Sequence, residues 1–155
     1  MNRVLIVALV MAWLGGASAC KRIDEPARAA TGEHVHRAPH GGALFEIGEH
    51  AFNLELVRDA VTGSLTAFVL DGHAENFVRS SSPAIELIAI VGAERRPLTL
   101  RAVANNATGE TVGNTSQFEG QADWLKTTPE FPATIASLEI RGTKFQNIAI
   151  YLKKG

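Results

Sequence analysis

Phe52-Asn53-Leu54-Glu55-Leu56-Val57-Arg58-Asp59-Ala60-Val61-Thr62-Gly63-Ser64-Leu65-Thr66-Ala67-Phe68-Val69-Leu70 is the stretch that decides the fold. Phe52, Leu54 and Leu56 alternate with Asn53 and Glu55, the period of two that a half-buried strand requires. Leu65, Ala67 and Val69 alternate with Thr66, Phe68 and Leu70, which reads as a strand buried on both faces. Between them, residues 58–64 carry the Asp and Gly of a hairpin loop, so 50–57 and 65–70 are expected to pair antiparallel.

The same pattern recurs outward from this hairpin. Strands are expected at 84–91, 97–104, 116–119, 134–141 and 145–152, the last with Ile148, Ile150 and Leu152 on one face. Polar, glycine-bearing loops separate them, and Arg141-Gly142-Thr143-Lys144 reads as a tight hairpin. The stretch 121–132 departs from the pattern: one helical turn fits before Pro129 stops it, with Trp124 and Phe131 as a lid on one end. About eight short strands with no βαβ alternation indicate an all-β domain, an antiparallel β-sandwich of immunoglobulin-like type.

Composition sets the outer limits. The 155 residues include 15 Lys+Arg, 16 Asp+Glu, 46% hydrophobic residues and one cysteine, which suits one small domain. A charge balance this close to zero removes the main support for nucleic-acid binding or a polybasic membrane surface. A single cysteine forms no intramolecular disulfide, so the fold rests on burial and sheet hydrogen bonding.

The N-terminus reads as an address. Arg3, the apolar run 4–14 and the small residues Gly15-Gly16-Ala17-Ser18-Ala19 make a signal peptide over 1–19. The apolar run is too short for the ~30 Å hydrocarbon core of a bilayer. Cys20 follows directly, placed as in the lipobox of bacterial lipoproteins, where the thiol is acylated, with palmitate among the chains. Ala17-Ser18-Ala19 also satisfies ordinary Ala-x-Ala cleavage, which would leave Cys20 as a free terminal thiol. Residues 20–39, charged and Ala-rich with Pro26, Gly32 and Pro39, are expected to tether the anchor to a domain over 40–155. The resemblance to lipoproteins implies that Lys21, rather than Asp, after the cysteine permits sorting to the outer membrane, which is expected over the inner, facing the periplasm.

Histidines carry the chemical signal. His34, His36, His40, His50 and His73 are all five in the chain, and all precede residue 74. His34 and His36 share one side of an extended segment, and Pro39-His40-Gly41-Gly42 brings a third imidazole near. His50 precedes one hairpin strand and His73 follows the other, so both are expected near one edge of the hairpin. Neutral imidazoles in such a group suit a transition-metal ion, Zn(II), Cu(II) or Ni(II). These spacings are looser than a closed zinc motif, and solvated histidines or a loop hydrogen bond account for the same residues without a metal.

The segments His36-Arg37-Ala38-Pro39-His40-Gly41-Gly42, Ile47-Gly48-Glu49-His50, Leu54-Glu55-Leu56-Val57, Thr62-Gly63-Ser64-Leu65-Thr66 and Leu70-Asp71-Gly72-His73-Ala74-Glu75 carry a resemblance. Over about residues 34–79 the chain resembles small bacterial periplasmic lipoproteins and segments fused to periplasmic adaptor subunits of heavy-metal efflux pumps. That resemblance implies a domain associated with metal handling, with efflux components as partners and His36, His40, His50 and His73 as the matching positions.

An enzyme is not expected. Ser80-Ser81-Ser82-Pro83 has no nucleophile-elbow context, and Glu55, though a conceivable base, is expected to face solvent or pair across the sheet. No phosphate loop, dinucleotide fingerprint, zincin helix or haem motif is present. The expected function is a membrane-anchored periplasmic lipoprotein that buffers or transfers a transition-metal ion through its histidines. The alternative is a non-catalytic envelope protein–protein interaction module, docking by a strand edge or the Trp124 lid, with incidental histidines.

Overall fold

The structure is a computed structural model, and it describes residues 36–153. The leader over 1–19, Cys20 and His34 lie outside the described residues.

Among the described residues, eight strands follow in chain order: β1 (Ala43–Ile47), β2 (Phe52–Asp59), β3 (Ser64–Asp71), β4 (Ala84–Val91), β5 (Glu94–Ala102), β6 (Gln117–Gln121), β7 (Phe131–Ile140) and β8 (Thr143–Leu152), with the one-turn helix α1 (Trp124–Thr127) before β7. All eight join one hydrogen-bonded sheet in the order β1-β2-β3-β6-β5-β4-β7-β8, antiparallel throughout. The all-β class expected from the alternating pattern is therefore the class the chain adopts. β3, β4, β5 and β6 form a Greek key: β4 to β6 meander, and β6 returns to lie beside β3.

Alternation explains which face of the sheet is buried. Leu54 and Leu56 of β2, Leu65, Ala67 and Val69 of β3, Ile85, Leu87 and Ala89 of β4, and Leu98 and Leu100 of β5 all point to one buried face around Phe118. Leu125 of α1 and the Trp124–Phe131 pair, edge-on at 5.0 Å, join that core. The tight β7–β8 turn is Arg141-Gly142, both with positive φ (49° and 78°), the two-residue geometry whose twist suits a hairpin.

Part-way along the β7–β8 ribbon, Ala136 and Asn147 drop out of the pairing, and Asn147 takes φ 52°. Beyond that point the buried residues of β7 change from odd (Phe131, Ala133, Ile135) to even (Leu138, Ile140). The bent ribbon carries Phe145 to the first strands, where its ring meets that of Phe52 edge-on at 6.0 Å. β1 and β8, the two ends of the sheet, thus lie against each other.

His36, His40 and Gly42 are hydrogen-bonded to the sheet and its rim. Residues 36–42 lie along the outer side of β2 and β3, and this placement builds the site.

Candidate functional site

β2 begins and β3 ends at the pair Phe52↔Asp71. Two turns meet just beyond it. On the β2 side Gly48, Glu49 and His50 take successive positive φ values of 67°, 51° and 71°. On the β3 side Gly72 passes so close to this turn that a Cβ there would sit 2.2 Å from the His50 carbonyl oxygen. Only glycine permits that approach, and it sets His50 and His73 on the same rim.

Buried polar groups fix the rim. Asn53, 3% exposed, donates through Nδ2 to the carbonyls of Asp71 (2.9 Å) and Gly72 (3.0 Å). The Asp71 carboxylate accepts from the side chain of Asn76 (2.7 Å) and from the backbone N–H groups of Glu75 and Asn76. The Asn76 amide is the chief reason its pKa falls to about 2, with those backbone donors assisting against a partial desolvation that opposes it. Asp71 is consequently an anion that ties the His73 turn at both ends.

The leading segment is held by a different carboxylate. Glu55 lies opposite Leu54 and Leu56, on the outer face of β2, yet its side chain is 0% exposed because residues 40–42 cover it. Oε1 accepts the N–H groups of His40 (2.8 Å) and Gly42 (2.9 Å), and Oε2 lies 2.9 Å from His40 Nδ1. In a contact between a carboxylate and a neutral imidazole the ring is the donor, which puts the proton on Nδ1 and the lone pair on Nε2. The ring stacks on Phe68, centroids 3.8 Å apart at 15°, and Phe68 is the residue facing Glu55 in the register. Glu55 is expected to face solvent or pair across the sheet; the segment His40-Gly41-Gly42 covers it instead, and alternation within β2 alone shows the face without showing its cover.

The histidines divide into two places. His36 Nδ1 lies 3.1 Å from the His73 carbonyl oxygen, with the two rings edge-on at 6.2 Å. A carbonyl only accepts, so Nδ1 of His36 is the donor and its Nε2 is the free lone pair. His50 Nδ1 contacts the carboxylate of Glu46, one turn before it in the chain. His36, His50, Gly72 and His73 line one depression of about 390 Å³. His40 stands apart on Phe68, although it is only four residues from His36. Among the described residues, no three His, Cys, Asp or Glu side chains are grouped, as they stand, closely enough to enclose a metal ion.

Sequence reading named the histidines and missed their oxygen partners, Glu46, Glu55 and the His73 carbonyl. The i,i+4 spacing of Glu46 and His50 across a turn was a visible signal; the pairing of Glu55 with His40 was not, because it depends on how residues 36–42 fold back. The serines of the 80–82 loop have structural uses: Ser80 Oγ donates to the Glu139 carbonyl (2.5 Å) and accepts from Ser82 N–H (3.1 Å). No family model matches the chain, and no curated protein or solved structure is significantly similar to it.

Proposed function

We propose that the chain is an envelope lipoprotein whose β domain binds a transition-metal ion reversibly through the imidazoles of His36, His50 and His73, buffering it or passing it to an efflux system. One observation carries the reading. Around the hairpin rim, Nδ1 of His36 and Nδ1 of His50 each face an oxygen acceptor, a backbone carbonyl and a carboxylate, so that in the neutral ring Nε2 carries the lone pair. Metal-binding histidines characteristically use one ring nitrogen in this way and the other for the ion. The open rim supports exchange over storage, since a closed set of four ligands would release an ion slowly. Grouping the three rings about one ion calls for side-chain rotation on a rim that Asn53 and Asp71 hold in place.

His40 has the same ring arrangement but lies on Phe68, outside the depression that His36, His50 and His73 line, so it is assigned a structural part in this reading: through Glu55 it keeps the leading segment on the domain so that His36 reaches the rim. The test is paramagnetic line broadening by Cu(II) in an amide and imidazole NMR spectrum at pH 7.5. Broadening centred on His36, His50 and His73 and sparing His40 is the expected result. Broadening spread evenly over the surface, or centred on His40, would refute the assignment.

A further inference from the structure

A second hollow, of about 190 Å³, is lined by His40, Phe68 and Phe77 together with Thr108, Glu110 and Ser116. Phe77 and Phe68 are 6.1 Å apart between centroids, and Phe77 and His40 are 5.7 Å apart. Phe77 is 52% exposed, a large apolar ring half in water at the rim. Glu110, in contrast, is 6% exposed. Its Oε1 accepts from Ser116 N–H (2.9 Å) and Ser116 Oγ (2.7 Å), and its Oε2 accepts from Thr108 Oγ (2.9 Å).

Those donors are all neutral. The cation nearest the carboxylate is Arg79, whose Nε is 4.0 Å away and whose Nη2 is committed to the Thr108 carbonyl. Burial pushes the Glu110 pKa up, but hydrogen bonds from Ser116 and Thr108, with the Arg79 charge, hold it below the usual range, so the group is an anion at neutral pH. A hollow lined by the stacked His40–Phe68 pair, the tilted ring of Phe77 and a buried negative charge has the chemistry of an ammonium site. The ring faces attract a cation within about 6 Å of their centroids, and a carboxylate out of bulk water does so more strongly. Drug-sized ligands occupy clefts of about 300–1,000 Å³, so a hollow of this size takes a single head group.

We propose that this hollow binds an organic ammonium group, either a small quaternary or alkyl ammonium compound or the side-chain amine of a lysine. It is independent of the imidazole rim and does not require a metal.

The test is an NMR titration of the protein as purified from cells, in non-ionic detergent if it carries lipid, at pH 8 so that exposed imidazole is neutral. Choline is the probe, 3,3-dimethylbutan-1-ol its uncharged isostere, and N-acetyl-lysine methylamide the primary amine. Saturable shifts of the Phe77, Phe68 and His40 ring signals with choline or the lysine amide, at least about tenfold weaker for the isostere, support the site; which amine binds better identifies the carrier. Phe77→Ala is expected to weaken binding about fivefold or more. Glu110→Gln, checked for an unchanged amide spectrum, is expected to weaken it as well; if that variant fails to fold, Phe77→Ala and the isostere decide. Equal binding of the isostere, or no saturable shift with either amine by about 50 mM, far weaker than ordinary recognition, would overturn the proposal.

Discussion

Replacing Glu55 by Gln keeps the shape of the side chain and reverses one of its two ends. The oxygen that accepts the N–H groups of His40 and Gly42 is retained, whereas Oε2, which faces His40 Nδ1, becomes an NH2 group. That group donates, so Nδ1 must accept and the proton must move to Nε2. Glu55→Gln should therefore switch the His40 tautomer at a cost of about 1 kcal/mol, the net value of one hydrogen bond. Glu55→Ala removes all three bonds. Bonds to a charged group contribute about 1.5–3 kcal/mol each, but the His40 side chain is 37% exposed and its ring N–H can turn to water. The two backbone donors share a single oxygen as well, so the expected loss is about 3 kcal/mol rather than the full sum. Urea unfolding gives the stability change, read from the midpoint at constant slope. Ring nitrogen shifts of His40 give the tautomer. A Glu55→Gln protein that keeps the Nδ1–H form, or a Glu55→Ala protein within about 0.5 kcal/mol of the parent, the usual spread of neutral surface changes, would refute the clasp.

Gly72→Ala drives a Cβ to 2.2 Å from the His50 carbonyl, and is expected to cost about 1–3 kcal/mol in urea unfolding while parting His50 from His73. Asp71 adds an acid dependence: its pKa falls from 3.8 to about 2 on folding, so its stabilisation is complete above about pH 4 and is lost as pH falls through about 2. Asp71→Asn should unfold at lower urea than the parent at pH 6, and the two midpoints should converge towards pH 2; a constant gap would count against the turn.

The sequence pattern showed a great deal of the sheet because alternation is local. The expected strand at 84–91 coincides with β4, the 50–57/65–70 hairpin is β2 and β3, and the Arg141-Gly142 turn and the helical turn before Pro129 are where the residue types require them. β1 escaped notice because Ala43-Leu44-Phe45-Glu46-Ile47 is half-buried and fully buries only Ile47. β5 starts at Glu94 rather than 97 because its first four residues are exposed and carry no apolar alternation. Strand order was not legible, since nothing local to β6 says that it inserts between β3 and β5. The site was legible in part. His50 and His73 were expected on one hairpin edge, and Gly72 with Asn53 puts them there. His36 and His40 are neighbours in sequence, but a buried carboxylate takes one and a carbonyl takes the other, a division set entirely by tertiary contacts.

The most direct test of metal binding at the rim is calorimetric titration with Zn(II), Cu(II) and Ni(II) at pH 7.5 and 5.5, comparing the parent with a variant carrying His36→Ala, His50→Ala and His73→Ala. The account predicts one ion per domain, bound more tightly than about 100 μM at the higher pH, and lost at the lower pH as imidazoles protonate below about 6.5. The triple variant should not bind it. Absence of binding at pH 7.5, or undiminished binding by the triple variant, would contradict it.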